Sequence, residues 1–330
     1  YDVQTQDTIL SVSVAENGSI GVITNGTSYT VTVYSPSGNM LFQRVEAESG
    51  IYPLCCDVSP DGEIIAISYI DTTGVEIKSK IGMFYINSDV GADYTDSMYG
   101  AVEKNDEIIF KMYFMGGNNL IAIGDRNITS ISAAGVEEGS VEVTNEIMGV
   151  GLCGNKIAMI YGEEHSDKEG ELPGTIVFVS SGGKLSTGDS AEVETDYFVC
   201  SDGGIVAGSG TAYYGFSSGG QLMWSVTTTG NITGIYPTSS INKCIYTTRT
   251  WSAMANMNNF DPDSYDPYVA TNIITDDGQE TENKTENISG EENETENENS
   301  TSDEKKEETE KENNEKPQEQ TENNKNETQN

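Results

Sequence analysis

Short apolar runs alternate with turn signals through the first 275 residues. Ile9-Leu-Ser-Val-Ser-Val14 and Tyr29-Thr-Val-Thr-Val-Tyr34 show the period-two pattern of half-buried strands. Ile64-Ile-Ala-Ile-Ser-Tyr69 and Thr175-Ile-Val-Phe-Val179 are continuously apolar, as strands buried on both faces are. Between the runs stand Asn17-Gly18, Pro36-Ser-Gly38, Pro60-Asp-Gly62, Gly116-Gly117, Ser181-Gly-Gly183, Asp202-Gly-Gly204 and Ser218-Gly-Gly220, residues that supply the backbone angles of tight hairpins. No window of a dozen residues carries a 3.6-residue period. The pattern predicts an all-β domain over 1–275.

An internal repeat sharpens that prediction. The unit is a β-run, a tight turn, then an apolar–small–apolar triplet. Its copies are Ile20-Gly-Val22, Ile65-Ala-Ile67, Ile121-Ala-Ile123, Ile157-Ala-Met159, Val206-Ala-Gly208 and Cys244-Ile-Tyr246. Their centres lie 45, 56, 36, 49 and 38 residues apart. A four-stranded propeller blade takes about 40–45 residues. A second motif marks the outer hairpin in Ser35-Pro-Ser-Gly-Asn-Met-Leu41, Ser181-Gly-Gly-Lys-Leu185 and Ser218-Gly-Gly-Gln-Leu-Met-Trp224. The expected architecture is a β-propeller of about six four-stranded blades, with seven as the alternative. The 56-residue interval leaves room for added strands. The small residue is expected on the innermost strand, where blades converge on the axis. Tyr268–Thr275 or the first residues of the chain are the stretches that would complete the sixth blade and close the ring, hiding its edges.

Composition changes near residue 276. From there to Asn330 the chain holds 20 acidic and 6 basic residues, one large apolar side chain (Ile288), and the triplet Thr-Glu-Asn four times. Such a segment buries too little surface to offset chain entropy, so 276–330 is expected to be a disordered acidic tail. The whole chain carries 17 Lys and Arg against 54 Asp and Glu, a net charge of −37. No basic footprint exists to neutralise phosphates, which excludes nucleic acid as a partner. An anionic membrane surface would repel the chain for the same reason. No stretch reaches the ~18 apolar residues of a spanning helix. The first residue is Tyr1, so an N-terminal anchor or export segment is expected to have preceded it.

Asp57-Val-Ser-Pro-Asp-Gly-Glu63, followed by Ile64–Tyr69, resembles the hairpin of WD40-like propellers of the TolB type. The order continues through Ser68-Tyr-Ile-Asp71, Ile77-Lys-Ser-Lys-Ile81, Met83-Phe-Tyr-Ile86, Ile108-Ile-Phe110 and Leu120-Ile-Ala-Ile-Gly-Asp125. In that order the chain is similar, over roughly 9–251, to a bacterial family of unknown function found in anaerobic Gram-positive species. The resemblance implies a propeller that faces outward behind an N-terminal membrane anchor, hence an extracytoplasmic, membrane-tethered location. It implies no catalytic residues.

Candidate chemistry is thin. Adjacent Cys55 and Cys56 are the spacing of a vicinal disulfide, but neighbours in a strand point to opposite faces, which makes them small core residues. Five cysteines, with no Cys-x-x-Cys, exclude a disulfide scaffold and a zinc ribbon. His165 is the one histidine and lies in a polar loop with Glu163, Glu164 and Asp167; one imidazole among consecutive loop residues is expected to be solvated rather than a metal ligand. Asp261, Asp263 and Asp266 could hold Ca²⁺ but lack the glycine and closing glutamate of an EF-hand loop. Asp57 and Asp61 are expected to shape the hairpin turn. No Gly-x-Ser-x-Gly occurs. No catalytic, cofactor-binding or metal residue is therefore assigned, and no cofactor is expected. The reading is a non-enzymatic binding module with a protein or peptide partner, cationic by complementarity, held on the loop face. The alternative is a cell-envelope hydrolase or lyase using paired carboxylates at the channel.

Overall fold

The computed structural model describes residues 5–165, 169–191, 195–228 and 232–260. They form six antiparallel sheets, each a simple up-and-down meander. The first sheet holds β1 (Thr8–Val14), β2 (Ile20–Asn25), β3 (Tyr29–Tyr34) and β4 (Met40–Glu46). The second holds β5 (Ile51–Val58), β6 (Ile64–Asp71), β7 (Lys78–Tyr85) and β8 (Met98–Asn105). The third holds β9 (Ile109–Met115), β10 (Asn119–Gly124), β11 (Asn127–Ile131) and β12 (Glu137–Glu142). The fourth holds β13 (Asn145–Cys153), β14 (Lys156–Glu164), β15 (Thr175–Val179) and β16 (Leu185–Ser190). The fifth holds β17 (Tyr197–Ser201), β18 (Gly204–Ser209), β19 (Ala212–Phe216) and β20 (Leu222–Thr227). The sixth holds β21 (Ile232–Ser240), β22 (Lys243–Thr248) and β23 (Ser252–Asn256). First strands touch first strands, β1 on β5, β5 on β9, β13 on β17 and β17 on β21, so they are the inner strands of a β-propeller.

Cores lie between the sheets, one for each adjacent pair. Because side chains alternate across a strand, one apolar run serves two cores. Ile65 and Ile67 of β6 face back to Ile23 and Val31. Ala66, between them, faces forward to Met112, Leu120 and Ala122. The same exchange recurs with Ile157 and Met159 against Ile121, and with Ala158 and Ile160 against Ile205 and Ala207. This is why the runs read as continuous hydrophobic stretches.

The repeat falls on the second strand of each sheet, β2, β6, β10, β14, β18 and β22, and not on the innermost strand. The small residue answers to sheet-on-sheet spacing instead of crowding at the axis. Ala66 and Ala122 meet in one core, and a Cβ on Gly21 would stand 2.8 Å from Val58 Cγ2.

The outer-hairpin motif forms a single turn type. In Ser35–Asn39, Ser180–Lys184 and Ser217–Gln221 the serine N–H donates to the carbonyl four residues on, at 2.8, 3.0 and 2.8 Å. A fourth copy, Ser132–Val136, closes at 2.8 Å. Glycine fills the left-handed position in each, at φ of 85, 73, 83 and 75°.

The sixth sheet packs on the fifth through Val206, Ile235, Cys244 and Tyr246. Among the described residues no buried cluster joins it to the first. Forward-facing Ala66, Ile121, Ala158 and Val206 are 0% exposed, whereas Ile245 is 39% exposed. On the first sheet Val12 and Val14, opposite Val22 and Ile20, are exposed. The expected domain boundary at 275/276, the acidic tail and Tyr268–Thr275 lie outside the described residues.

Candidate functional site

The second sheet departs from the turn rule. Its third and fourth strands are joined by Ile86–Ser97, which carries a short helix, α1 (Ser88–Gly91), and a 3-10 turn at Thr95–Ser97. The 56-residue repeat interval is thus lengthened by a helical insertion instead of added strands. The Asn87 side chain caps α1 by accepting from Asp89 N at 2.9 Å. Asp96 and Ser97 close the insertion with φ of 54 and 63°, a left-handed pair without glycine, the kind of strained backbone that surrounding structure must hold.

The insertion shapes a groove of about 380 Å³ lined by Leu41, Gly62, Glu63, Tyr85, Ile86, Asn87 and Val90. Tyr85, its aromatic lining residue, packs against two further rings. The Tyr85 centroid lies 4.6 Å from Tyr99 and 5.2 Å from Tyr94. Leu41, Val90 and Tyr94 are exposed at 45, 51 and 44%. Glu63, which lines it, is exposed, and so are Asp89 and Asp93 of the insertion. Removal from water raises the Tyr99 and Tyr85 hydroxyl pKa values, so both stay neutral donors at physiological pH. Sequence reasoning quotes Leu41, Gly62, Glu63, Tyr85 and Ile86 only as strand and turn residues and assigns no site to them; the long repeat interval was the available signal.

A second groove, of about 340 Å³, runs beside the outer strands of the same two sheets. Both of its cations are engaged by carboxylates. Glu46 accepts from Arg44 Nε at 2.6 Å and from the Tyr69 hydroxyl at 2.7 Å, and the Arg44 guanidinium lies 5.0 Å from the Phe84 ring centre. Lys80 Nζ stands 2.6 Å from Asp71 and, with Thr73, holds that carboxyl well below the usual carboxylate range.

Asp57 does not shape the hairpin, contrary to expectation. It lies half-buried on the inner strand β5 and ties three inner strands together. Its Oδ1 accepts from Ser13 Oγ of β1 at 2.5 Å and its Oδ2 accepts from Phe114 N of β9 at 2.6 Å. Ser13 Oγ in turn accepts from Val58 N at 3.2 Å. Removal from water dominates and pushes the Asp57 pKa up to about 6, against these hydrogen bonds and the nearby Lys111. Asp61 is the turn residue expected: it accepts from Ser59 Oγ at 2.6 Å and Glu63 N at 3.0 Å. It also accepts from Asn118 Nδ2 of the third sheet at 2.8 Å.

Cys55 and Cys56 are both free and buried, Cys55 in the core toward the third sheet and Cys56 in that toward the first. Burial raises both thiol pKa values, that of Cys56 to about 12, so neither is a thiolate nucleophile. His165 is half-buried and its backbone N–H donates to Thr144 O at 2.9 Å. Glu163 and Glu164 are exposed, and Glu164 accepts from Gly170 N at 3.2 Å. Asp167, Asp261, Asp263 and Asp266 lie outside the described residues. Among the described residues no three His, Cys, Asp or Glu side chains gather as metal ligands, and no helix is long and apolar enough to cross a membrane. Glu107, buried, accepts from Asn127 N at 3.0 Å and so serves its own turn.

Solved structures share the fold. The WD40 repeats of RRP9 align with 11% identity over 76% of this chain and 77% of that one, at a TM-score of 0.52. Kluyveromyces lactis Hsv2 aligns with 10% identity over 78% and 76%, at 0.51. BamB from Moraxella catarrhalis aligns with 13% identity over 77% and 73%, at 0.48. At such identities the likeness concerns architecture alone. A comparison with curated proteins finds no match. The profile of a family of unknown function, DUF5711, matches residues 1–253. Spanning well over half of the 330 residues, that match makes the chain a member of the DUF5711 family.

Proposed function

We propose that this chain is a non-enzymatic binding module. It takes a basic, amphipathic polypeptide segment in the groove between the first and second sheets. The observation that carries the reading is the groove itself: exposed Leu41 and Val90 and the exposed Glu63 line it, and the insertion that shapes it, the one long outer connection among the described residues, carries exposed Tyr94, Asp89 and Asp93. Apolar anchors supply affinity, and the carboxylates, within a chain of net charge −37, steer a cation. The half-buried and buried carboxylates, Asp57, Asp71 and Glu107, are each engaged by neighbouring backbone or side-chain donors, which favours binding over hydrolysis.

The propeller is read as six blades, with 276–330 outside the folded domain. The site of action is read as extracytoplasmic and membrane-tethered, on the strength of the family resemblance. Protease shaving of intact cells checks the location, and full protection until lysis contradicts it.

Fluorescence anisotropy with a labelled Lys- and Leu-rich amphipathic peptide tests the partner chemistry. Binding is expected to weaken at least tenfold when Glu63→Gln, Asp89→Asn and Asp93→Asn are combined, and to weaken with salt as the Debye length shortens to about 8 Å. Equal binding by the triple variant refutes the site. Turnover of a glycan panel that disappears in Asp57→Asn refutes the non-enzymatic reading.

A further inference from the structure

The groove beside the outer strands is a gap in the packing between the first and second sheets. On the face of the second sheet that looks toward the first, Tyr69, Lys80 and Glu103 form one cross-strand row, and Phe84 with Met98 forms another. Tyr69 and Phe84 belong to the core shared with the first sheet, which fixes the direction of both rows. Between the rows Gly82 pairs with Ala101. That middle row carries nothing larger than a methyl on its two outer strands, so a slot of about 340 Å³ opens there. A Cβ on Gly82 would stand 2.7 Å from Phe84 Cε2, so the aromatic wall depends on the glycine. Ligand pockets run from about 300 to 1,000 Å³; this one has room for a single ring on a short arm.

The charges at the slot are unbalanced. Arg44 is held by Glu46 and lies 3.8 Å from Asp96, Lys80 is held by Asp71, and Lys78 is held by Glu103 at 2.6 Å. Glu48 also lines the slot and is exposed, and among the described residues it takes part in no ion pair. It lies near Lys80: the hydrogen bond from Asp71, then the charges of Asp71, Glu103 and Glu48, raise the Lys80 pKa. An entering anion would have to share cations that are already engaged and would meet Glu48. An entering cation meets carboxylates in excess.

We propose that this slot binds a small aromatic amine. The ring fills the row left open by Gly82 and Ala101, against the Phe84 and Tyr69 rings. The ammonium lies at the Glu48 and Glu103 end. The site shares no lining residue with the peptide groove and does not rest on that groove's partner.

The test is isothermal titration calorimetry of the full chain with 2-phenylethylamine, beside 2-phenylethanol and phenylacetate as neutral and anionic counterparts. Saturable 1:1 binding of the amine is expected, with the alcohol at least tenfold weaker and no binding of phenylacetate. Ala101→Leu, at an exposed strand position that lines the slot, is expected to weaken the amine at least tenfold, and Glu48→Gln at least threefold. The triple variant Glu63→Gln, Asp89→Asn and Asp93→Asn is expected to bind the amine as the native chain does. No saturable binding of the amine overturns the proposal, as does equal affinity for the alcohol or for phenylacetate. Native affinity in Ala101→Leu or in Glu48→Gln overturns it too. Loss of amine binding in the triple variant places the ligand in the other groove and overturns this site.

Discussion

Asp57→Asn should change how the domain's stability depends on pH. The carboxyl holds the Ser13 hydroxyl and the Phe114 N–H across three inner strands, and its pKa is raised from 3.8 to about 6. In the unfolded chain the same group ionises near its ordinary value. Between about pH 6 and pH 4 the native state thus holds a proton that the unfolded state releases. Stability from this group rises as pH falls through that window, and is lowest above it. A shift of about two units corresponds to an upper bound of about 3 kcal/mol, reduced where water reaches the half-buried side chain. Asparagine is isosteric and does not titrate. Its carbonyl keeps the Phe114 N–H, and its amide faces Ser13, whose hydroxyl can reverse to accept. Urea unfolding of both proteins at pH 4.5, 5.5, 6.5 and 7.5 gives the comparison. The variant should be at least as stable as the native chain at pH 7.5 and lose that advantage by pH 4.5. A constant offset between the two stability curves would refute the reasoning. Asp57→Ala is the contrast: it orphans both donors, at about 1–3 kcal/mol each, at every pH.

Equivalent positions on the fifth and sixth sheets should respond differently. Val206→Ala removes methyls from a fully buried side chain and should cost about 1.5–3 kcal/mol, whereas Ile245→Ala, on the open face, should cost under about 1 kcal/mol; equal losses in thermal unfolding would count against the open face. A Cβ on Gly188 of β16 would stand 2.7 Å from Gly220 O in the next sheet's outer turn. Gly188→Ala should therefore lower the unfolding free energy by about 1–3 kcal/mol. Gly182→Ala, with nothing within 4 Å, should stay within about 0.5 kcal/mol.

Local features were legible and long-range ones were not. The strands, their turns and the blade period follow from alternation and glycine placement, which act between neighbours. Asp61 was readable for the same reason: Ser59 and Glu63 are two residues away. The partners of Asp57 are 44 and 57 residues away, and nothing in Asp57-Val-Ser-Pro distinguishes a turn carboxylate from one that bridges strands. The repeat was found but placed on the wrong strand, because a period of two reports which residues are buried and not which sheet buries them. The groove left only an indirect trace, the lengthened interval between Ala66 and Ala122. Its walls come from Leu41, the hairpin at Gly62-Glu63 and the insertion, which the fold alone brings together.

The groove also sits on a hairpin that is cross-connected to both neighbouring sheets. The second sheet shares cores with both neighbours, and its first hairpin is bonded on both sides. Asn17 of the first sheet donates from Nδ2 to Asp61 O at 2.7 Å and from its N–H to Pro60 O at 3.1 Å. Asn118 of the third sheet reaches the Asp61 carboxylate, and Asp57 repeats the tie one layer inward. Ile86, the first residue of the insertion, is bonded to that same hairpin through Glu63 O. A loop that must present apolar and acidic groups in fixed positions gains from such a base, since ordering it at the moment of binding would subtract from affinity. The sixth sheet is the opposite case, with one shared core and a free edge among the described residues. The groove is therefore built on a hairpin anchored from both sides, and the sixth sheet offers no such base among the described residues.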